Sequence, residues 1–253
     1  MTRFEYWLLQ KTPLARVFRT PWFGRYPSYA AALAAIPAGL RVGYDQDQAR
    51  EVFSAAPIDS ARPTDYAVSF HLKELLCPGA RVIDLGGNIG MLYYTARKLG
   101  ALPEPITWTV CDVPQILEAG RTVARREAAI SSPLQFVSDL REAGSGDILL
   151  SSGTLQFLEP SLPQLLAQLP ELPPAVMINR VPMWDQPQLV TLHDINFCLA
   201  PYTILNRGLM VTGMEAIGYK VADGWDCFES SFSLRFRPKV RLNRYQGILF
   251  RKV

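Results

Sequence analysis

The sequence predicts an α/β protein: a doubly wound, mostly parallel sheet with an antiparallel C-terminal strand, preceded by a helical N-terminal extension. Three observations predict it. An apolar run, Val82 to Leu85, encloses one acid, Asp84, and ends in Gly86-Gly87-Asn88-Ile89-Gly90, where helix-like residues begin. From there to residue 181, apolar runs alternate with amphipathic stretches, the pattern of parallel strands joined by right-handed crossovers. The 253 residues suit one such domain, at 66–253, with an extension at 1–65.

The elements follow in order. Ser28 to Ala35 reads as a short helix of small residues, with Ser28 placed to cap it. A second helix is expected around Asp47 to Phe53. Thr64 or Asp65 can cap a third, Tyr66 to Leu76, which Pro78-Gly79 ends. The first strand, 82–86, lacks polar alternation, as strands covered on both faces do; it leads to a helix at 90–99. A strand at 106–111 ends at Asp112 and precedes a helix at 114–128. A strand at 134–138 ends at Asp139. Strand 147–151 runs into Ser151-Ser152-Gly153 and a helix at 160–169, and strand 175–181 carries Arg180 near its end. A helix at about 208–217, a strand from Tyr219 to Ala222 and a final strand, Gly247 to Lys252, close the pattern. Ser231 to Phe236 alternates between them as a further candidate strand.

Composition is ordinary for a globular protein. No apolar run approaches the roughly 20 residues of a membrane span, and Gln10, Lys11 and Arg16 interrupt any signal-peptide core, so a cytoplasmic location is expected. Cys77, Cys111, Cys198 and Cys227 form no CxxC pair, and His71 and His193 are the only histidines. Reduced thiols are expected, and no metal site. Charge is uneven. Arg3, Lys11, Arg16, Arg19 and Arg25 face one acid, Glu5, so the first 29 residues exceed the whole chain's surplus of +3. The same segment holds Phe4, Tyr6, Trp7, Phe18, Trp22, Phe23, Tyr26 and Tyr29. Such a segment suits packing on the main domain; its composition also allows contact with an anionic membrane surface, at the inner face of the membrane.

The glycine turn is a nucleotide-type cofactor signal, because glycines let backbone approach a ligand and the following helix presents unpaired N–H groups. A phosphate loop needs GxxxxGK[ST], which is missing. A nicotinamide site wants GxGxxG, and glycines at 86, 87 and 90 fail the middle spacing. An S-adenosylmethionine site needs an acid at the end of the first strand, a glycine-rich turn, and an acid after the second strand. Asp84, the turn Gly86, Gly87, Asn88 and Gly90, and Asp112 supply these. Asp84 can orient the turn and meet the methionine ammonium. The Asp112 carboxylate can accept both ribose hydroxyls, and it can also serve as a helix N-cap before Pro114. Asp139 can accept from the adenine amino group or be an ordinary turn acid. Asn88 stands where glycine is common, and asparagine tolerates a left-handed backbone.

Several stretches together resemble a class I S-adenosylmethionine-dependent methyltransferase. These are Trp22-Phe23-Gly24-Arg25-Tyr26, the strand and turn from Val82 to Gly90, Ser151-Ser152-Gly153-Thr154-Leu155-Gln156-Phe157-Leu158, Asn179-Arg180-Val181-Pro182, Asn206-Arg207 and Gly218-Tyr219-Lys220. More narrowly, the chain resembles a bacterial methyltransferase family associated with surface-polysaccharide gene clusters. The resemblance implies a Rossmann-like methyltransferase sheet and S-adenosylmethionine as cofactor. The Gly87-Asn88-Ile89-Gly90 turn is similar to that of FkbM-type sugar O-methyltransferases. Cys111-Asp112-Val113-Pro114 is similar to a turn of plant-type small-molecule O-methyltransferases. Both imply oxygen as the acceptor atom. The Asn/Asp-Pro-Pro-Tyr/Phe signature of amino-group methyltransferases is replaced by Ser151-Ser152-Gly153-Thr154, which argues against a nucleic-acid base as acceptor.

A hydroxyl acceptor needs a proton acceptor. His193, the only histidine after the cofactor motifs, is the candidate base, with Asp185 or Asp194 to orient it. His71 precedes the first strand and suits a structural role. Arg180 and Arg207 can hold an anionic acceptor, since arginine forks match carboxylate and phosphate. Ser151, Ser152 and Thr154 can line the pocket below the methionine group of the cofactor, and Gln156 and Tyr202 are further candidates, Tyr202 for the acceptor. The alternative to an enzyme is a binding or scaffold protein that keeps the fold without the chemistry.

Overall fold

A computed structural model describes residues 20–58, 60–128, 134–195 and 198–253. In chain order its strands are β1 (Trp22–Tyr26), β2 (Arg81–Leu85), β3 (Thr107–Cys111), β4 (Leu134–Val137), β5 (Ile148–Ser152), β6 (Ala175–Val181), β7 (Met183–Trp184), β8 (Leu189–Asp194), β9 (Leu199–Asn206), β10 (Tyr219–Cys227), β11 (Phe232–Ser233), β12 (Arg241–Leu242) and β13 (Tyr245–Lys252). The helices are α1 (Tyr29–Ala34), α2 (Asp47–Ser54), α3 (Pro63–Leu75), α4 (Met91–Lys98), α5 (Pro114–Arg126), α6 (Leu162–Leu166) and α7 (Arg207–Glu215).

Seven strands form the main sheet in the order β10-β13-β6-β5-β2-β3-β4. From β4 to β6 they run parallel, and β13 lies antiparallel between β6 and β10. The parallel strands are apolar throughout because successive side chains enter two different cores. Val82, Ile148, Leu150 and Met177 pack with α3, α4 and α5 on one face. Ile83, Leu149, Val176 and Ile178 pack with α6 and α7 on the other. Strand order reverses between β2 and β5, and a crevice at the carboxyl ends of strands is where such sheets bind ligands.

Several elements differ from the sequence pattern. No element is expected between residues 181 and 208, yet β8 and β9 form an antiparallel hairpin there. Pro201, inside β9, argues against a strand from sequence, since proline lacks the ladder donor. The basic aromatic segment, expected to be helical, also contains β1. It pairs with β8 through Trp22↔His193, giving a second sheet ordered β1-β8-β9-β7. Gly24 at φ 76 and a shifted register interrupt β1, and Pro21 and Pro27 flank it, which hides it from pattern reading. The boundary drawn between residues 65 and 66 falls inside α3, so α3 links the extension to the sheet. Helix α6 is shorter than 160–169, and β10 runs past Ala222 to Cys227 because β13 pairs along its whole length. Among the described residues no helix is long and apolar enough to cross a membrane. Residues 1–19 of the basic segment lie outside the described residues.

Candidate active site

The turn after β2 is held from two sides. Gly86 has φ 68, and a Cβ there would overlap the Thr154 side chain; Thr154 Oγ1 donates to the Gly86 carbonyl at 3.1 Å. Gly87 leaves room for the Asp84 carboxylate, which a Cβ would strike. Asn88 adopts φ 57, and its side-chain Oδ1 accepts from Ile89 N at 2.8 Å. Asparagine thus meets the left-handed requirement with a local hydrogen bond that glycine lacks.

The turn brings Asp84 and Asp112 together. Asn88 N donates to Asp112 Oδ2 at 2.9 Å, and Val113 N donates to Oδ1 at 2.8 Å. Helix α5 begins without a side-chain cap, so the Asp112 carboxylate serves the turn rather than capping the helix. Burial pushes it up to about 6, against the pull of the two N–H donors. Asp84 is fully buried. Its Oδ2 accepts from Trp108 Nε1 at 3.0 Å, while Oδ1 has no partner. Desolvation pushes Asp84 up to about 7, only partly offset by the Trp108 bond, and the nearby Asp112 charge adds to the rise.

Asp139, also at a strand end, is engaged elsewhere. It caps a short turn through Arg141 N at 2.9 Å and is gripped by the Arg141 guanidinium at 2.5 Å, which holds its carboxyl low. No contact joins it to the turn or to Asp112 among the described residues. Ser151 Oγ is buried without a partner, and Ser152 Oγ accepts from Asn179 Nδ2 at 3.0 Å. Asn179 Oδ1 in turn accepts from Trp225 Nε1 at 2.9 Å, so one amide ties β5, β6 and β10.

His193 projects from β8 into an aromatic wall. Trp22 stacks on it at 5.1 Å, and Tyr202 and Phe157 lie 5.2 and 5.7 Å away. Tyr44 meets Phe157 at 5.3 Å, and its hydroxyl is raised by burial and by the charges of Cys198 and Asp112, so the wall reaches the cofactor crevice. Among the described residues no carboxylate hydrogen-bonds or pairs with His193, in contrast to the expectation that Asp185 or Asp194 orients it. Its Nδ1 is buried without a partner, and Asp194, the next residue of β8, points to the opposite face of the sheet. Desolvation alone pushes the imidazole down to about 4, leaving it neutral at pH 7. Tyr202 contributes its ring to the wall, while its hydroxyl is paired with the Tyr245 hydroxyl at 2.7 Å. Arg207 lies exposed at the start of α7, where Asn206 caps Leu209 N, and no contact brings it to the crevice. His71 pairs with Asp223 at 3.0 Å and lies against Trp225, away from the turn. Tyr44 escapes sequence reading altogether, while Trp22 and Phe157 stand in stretches that carry the resemblance but receive no role there, because no local pattern marks an aromatic side chain that reaches a site through a separate sheet.

The unpartnered Asp84 Oδ1 and Ser151 Oγ, beside a turn whose glycines leave no side chain in the way, fit a cofactor with a polar, cationic end. The Asp112 oxygens each accept one N–H and keep lone pairs for a diol. These residues therefore fit S-adenosylmethionine.

No protein-family model matches the chain, and no curated protein does. Solved structures do. The chain is similar to magnesium protoporphyrin IX methyltransferase (ChlM) from Synechocystis PCC 6803 with bound SAH, at TM-score 0.54 and 12% identity over 83% of this chain and 96% of that one. It is similar to an O-methyltransferase family protein from Burkholderia thailandensis, at TM-score 0.51 and 14% identity, covering 98% and 70%. The mitomycin 7-O-methyltransferase MmcR gives TM-score 0.51 and 14% identity, covering 83% and 59%. Likeness at these identities is one of fold.

Proposed function

We propose that this chain, which has the Rossmann-like fold of S-adenosylmethionine-dependent methyltransferases, is such an enzyme. It binds S-adenosylmethionine at the Gly86–Gly90 turn and methylates a hydroxyl oxygen of a sugar, glycolipid or similar small acceptor, in surface-polysaccharide or related biosynthesis. The observation that carries the reading is the Asp84–turn–Asp112 arrangement: one carboxylate fixed by the turn's own N–H, another with an unpartnered oxygen beneath it.

When bound, S-adenosylmethionine supplies a methyl group on a positively charged sulfur. The chain's residues do the rest. Asp112 receives the ribose hydroxyls, and Asp84 faces the ammonium. Trp22, Phe157, Tyr202 and Tyr44 exclude water and press on the apolar side of the acceptor. A neutral His193 accepts the acceptor's proton but is a weak base, so alignment supplies most of the acceleration. Contact of the basic residues 1–19 with an anionic membrane is part of this proposal.

Calorimetry with SAH tests the cofactor, and a product mass gain of one methyl group tests the transfer. Absence of heat at millimolar SAH would remove the cofactor assignment. A second reading, a binding protein without chemistry, draws on one observation: the aromatic wall leaves His193 without the carboxylate partner of a strong base. SAH binding with no methyl transfer across a broad hydroxyl panel would favour it.

A further inference from the structure

Arg180 sits at the carboxyl end of β6 with φ 53. A left-handed backbone in a non-glycine residue is strained and persists only where the surroundings impose it. Its guanidinium is mostly buried and makes one weak ion pair, Nη1 to Asp65 Oδ1 at 3.5 Å. The other Asp65 oxygen is taken by Arg62 N at 2.8 Å. Arg180 Nε is buried without a partner. Gln156, 4% exposed, also holds an unpartnered oxygen, Oε1. Leaving buried donors and acceptors unpaired is costly, and more so for a charged group.

These groups converge on one point in front of Gly153. A Cβ built on Gly153 would stand 3.6 Å from Arg180 Nε, 3.9 Å from Nη2 and 4.0 Å from Gln156 Nε2, the nearest atoms outside Gly153 and its two chain neighbours. Because Gly153 has no Cβ, no side chain of its own stands between these nitrogens, and all three face the same side of the Gly153 backbone. Nε and Nη2 form one edge of the guanidinium, the edge that grips a planar carboxylate with two parallel bonds. The Gln156 amide adds a third donor.

We propose that Arg180 and Gln156, across Gly153, form a pocket for a carboxylate of the acceptor, so that the methylated molecule is a hydroxy acid. This rests on the methyltransferase reading above. The other source of the same chemistry is the carboxylate of the cofactor's own methionine part.

The test reads the Arg180 Nε–H resonance in a proton–nitrogen spectrum of the full chain. It is assigned by its loss in R180K, or in R180Q should R180K not fold. Benzoate is titrated with benzamide as the neutral control, in free protein and in protein saturated with SAH. The expected result is a saturable shift with benzoate and none with benzamide, retained when SAH is bound, and benzoate affinity about tenfold weaker in Q156E. No saturable shift, or an equal shift with benzamide, overturns the pocket. A shift produced by SAH alone, together with exclusion of benzoate, overturns the acceptor assignment and gives the pocket to the cofactor. If SAH does not bind at all, the cofactor reading fails, while the benzoate titration of free protein still judges the pocket.

Discussion

Asp84→Asn separates the energetic burden of this carboxylate from its use. Asp84 is fully buried, and its pKa rises from 3.8 to about 7. A raised carboxylate pKa means that the folded state holds the proton more tightly than the unfolded chain. The folded state is therefore favoured most below the unfolded value and loses stability as pH climbs through about 7. A shift of about three units, at about 1.4 kcal/mol each, puts the loss on the order of 4 kcal/mol. Asparagine has nearly the same shape and does not titrate. It leaves an amide NH2 group where Oδ1 has no partner, at a constant cost of about 1–3 kcal/mol. Urea unfolding from about pH 4 to about pH 8 should show the variant less stable at the acid end and more stable at the alkaline end. The stability difference between the two proteins should climb by roughly 4 kcal/mol across that range. A difference that stays flat within about 1 kcal/mol refutes the buried ionisation. The same variant addresses use. If the ionised carboxylate meets a ligand ammonium, SAH binding to the native protein near pH 7 releases a proton. Calorimetric heats then vary with the ionisation heat of the buffer, and Asp84→Asn abolishes that dependence and weakens binding.

The remaining predictions are shorter. Gly86→Ala forces a Cβ into Thr154 at φ 68 and should cost ~2 kcal/mol or more in urea unfolding; Thr154→Ala in the same chain should recover part of it, and equal cost in both backgrounds refutes the clash. Trp108→Phe removes the indole N–H that donates to Asp84 Oδ2 and should destabilise by about 1–3 kcal/mol, more at pH 8 than at pH 5, where the carboxyl is protonated. SAH affinity should fall in two stages as pH drops, through about 7, where Asp84 gains its proton, and through about 6, where Asp112 does, and Asp112→Asn should bind more weakly and lose only the lower stage. Flotation with anionic liposomes should be lost on deleting residues 1–19, and equal flotation of both forms removes the membrane reading.

Much of the main sheet is legible in the sequence, for a physical reason. Strands β2, β5 and β6 are buried on both faces, so they print as apolar runs without polar alternation, their buried polar residues falling toward the carboxyl ends, and Gly86 and Gly90 mark the turn by positions other residues rarely adopt. The meeting of Asp84 with Asp112 follows from that, since adjacent parallel strands end side by side. The other half of the site is hidden because its register lies far apart in the chain. Trp22 finds His193 through a strand pair interrupted by Gly24, and Pro201 disguises β9. What holds His193 is a tertiary pairing that no local pattern encodes. Likewise, Asp139 reads as a strand-end acid, and only the coordinates place Arg141 over it.

The pairing of β1 with β8 also sets an order of events. At translation rates of about 5–20 residues per second, Trp22 leaves the ribosome roughly ten to thirty seconds before its partner at position 193. During that interval an aromatic, basic segment has no strand to join, while the β2–β3 half of the sheet is already available to collapse. A newly made chain therefore passes through a stage that holds the glycine turn but no aromatic wall. That stage exposes sticky surface, which makes slow synthesis or a holding chaperone more consequential for this protein than its modest size suggests.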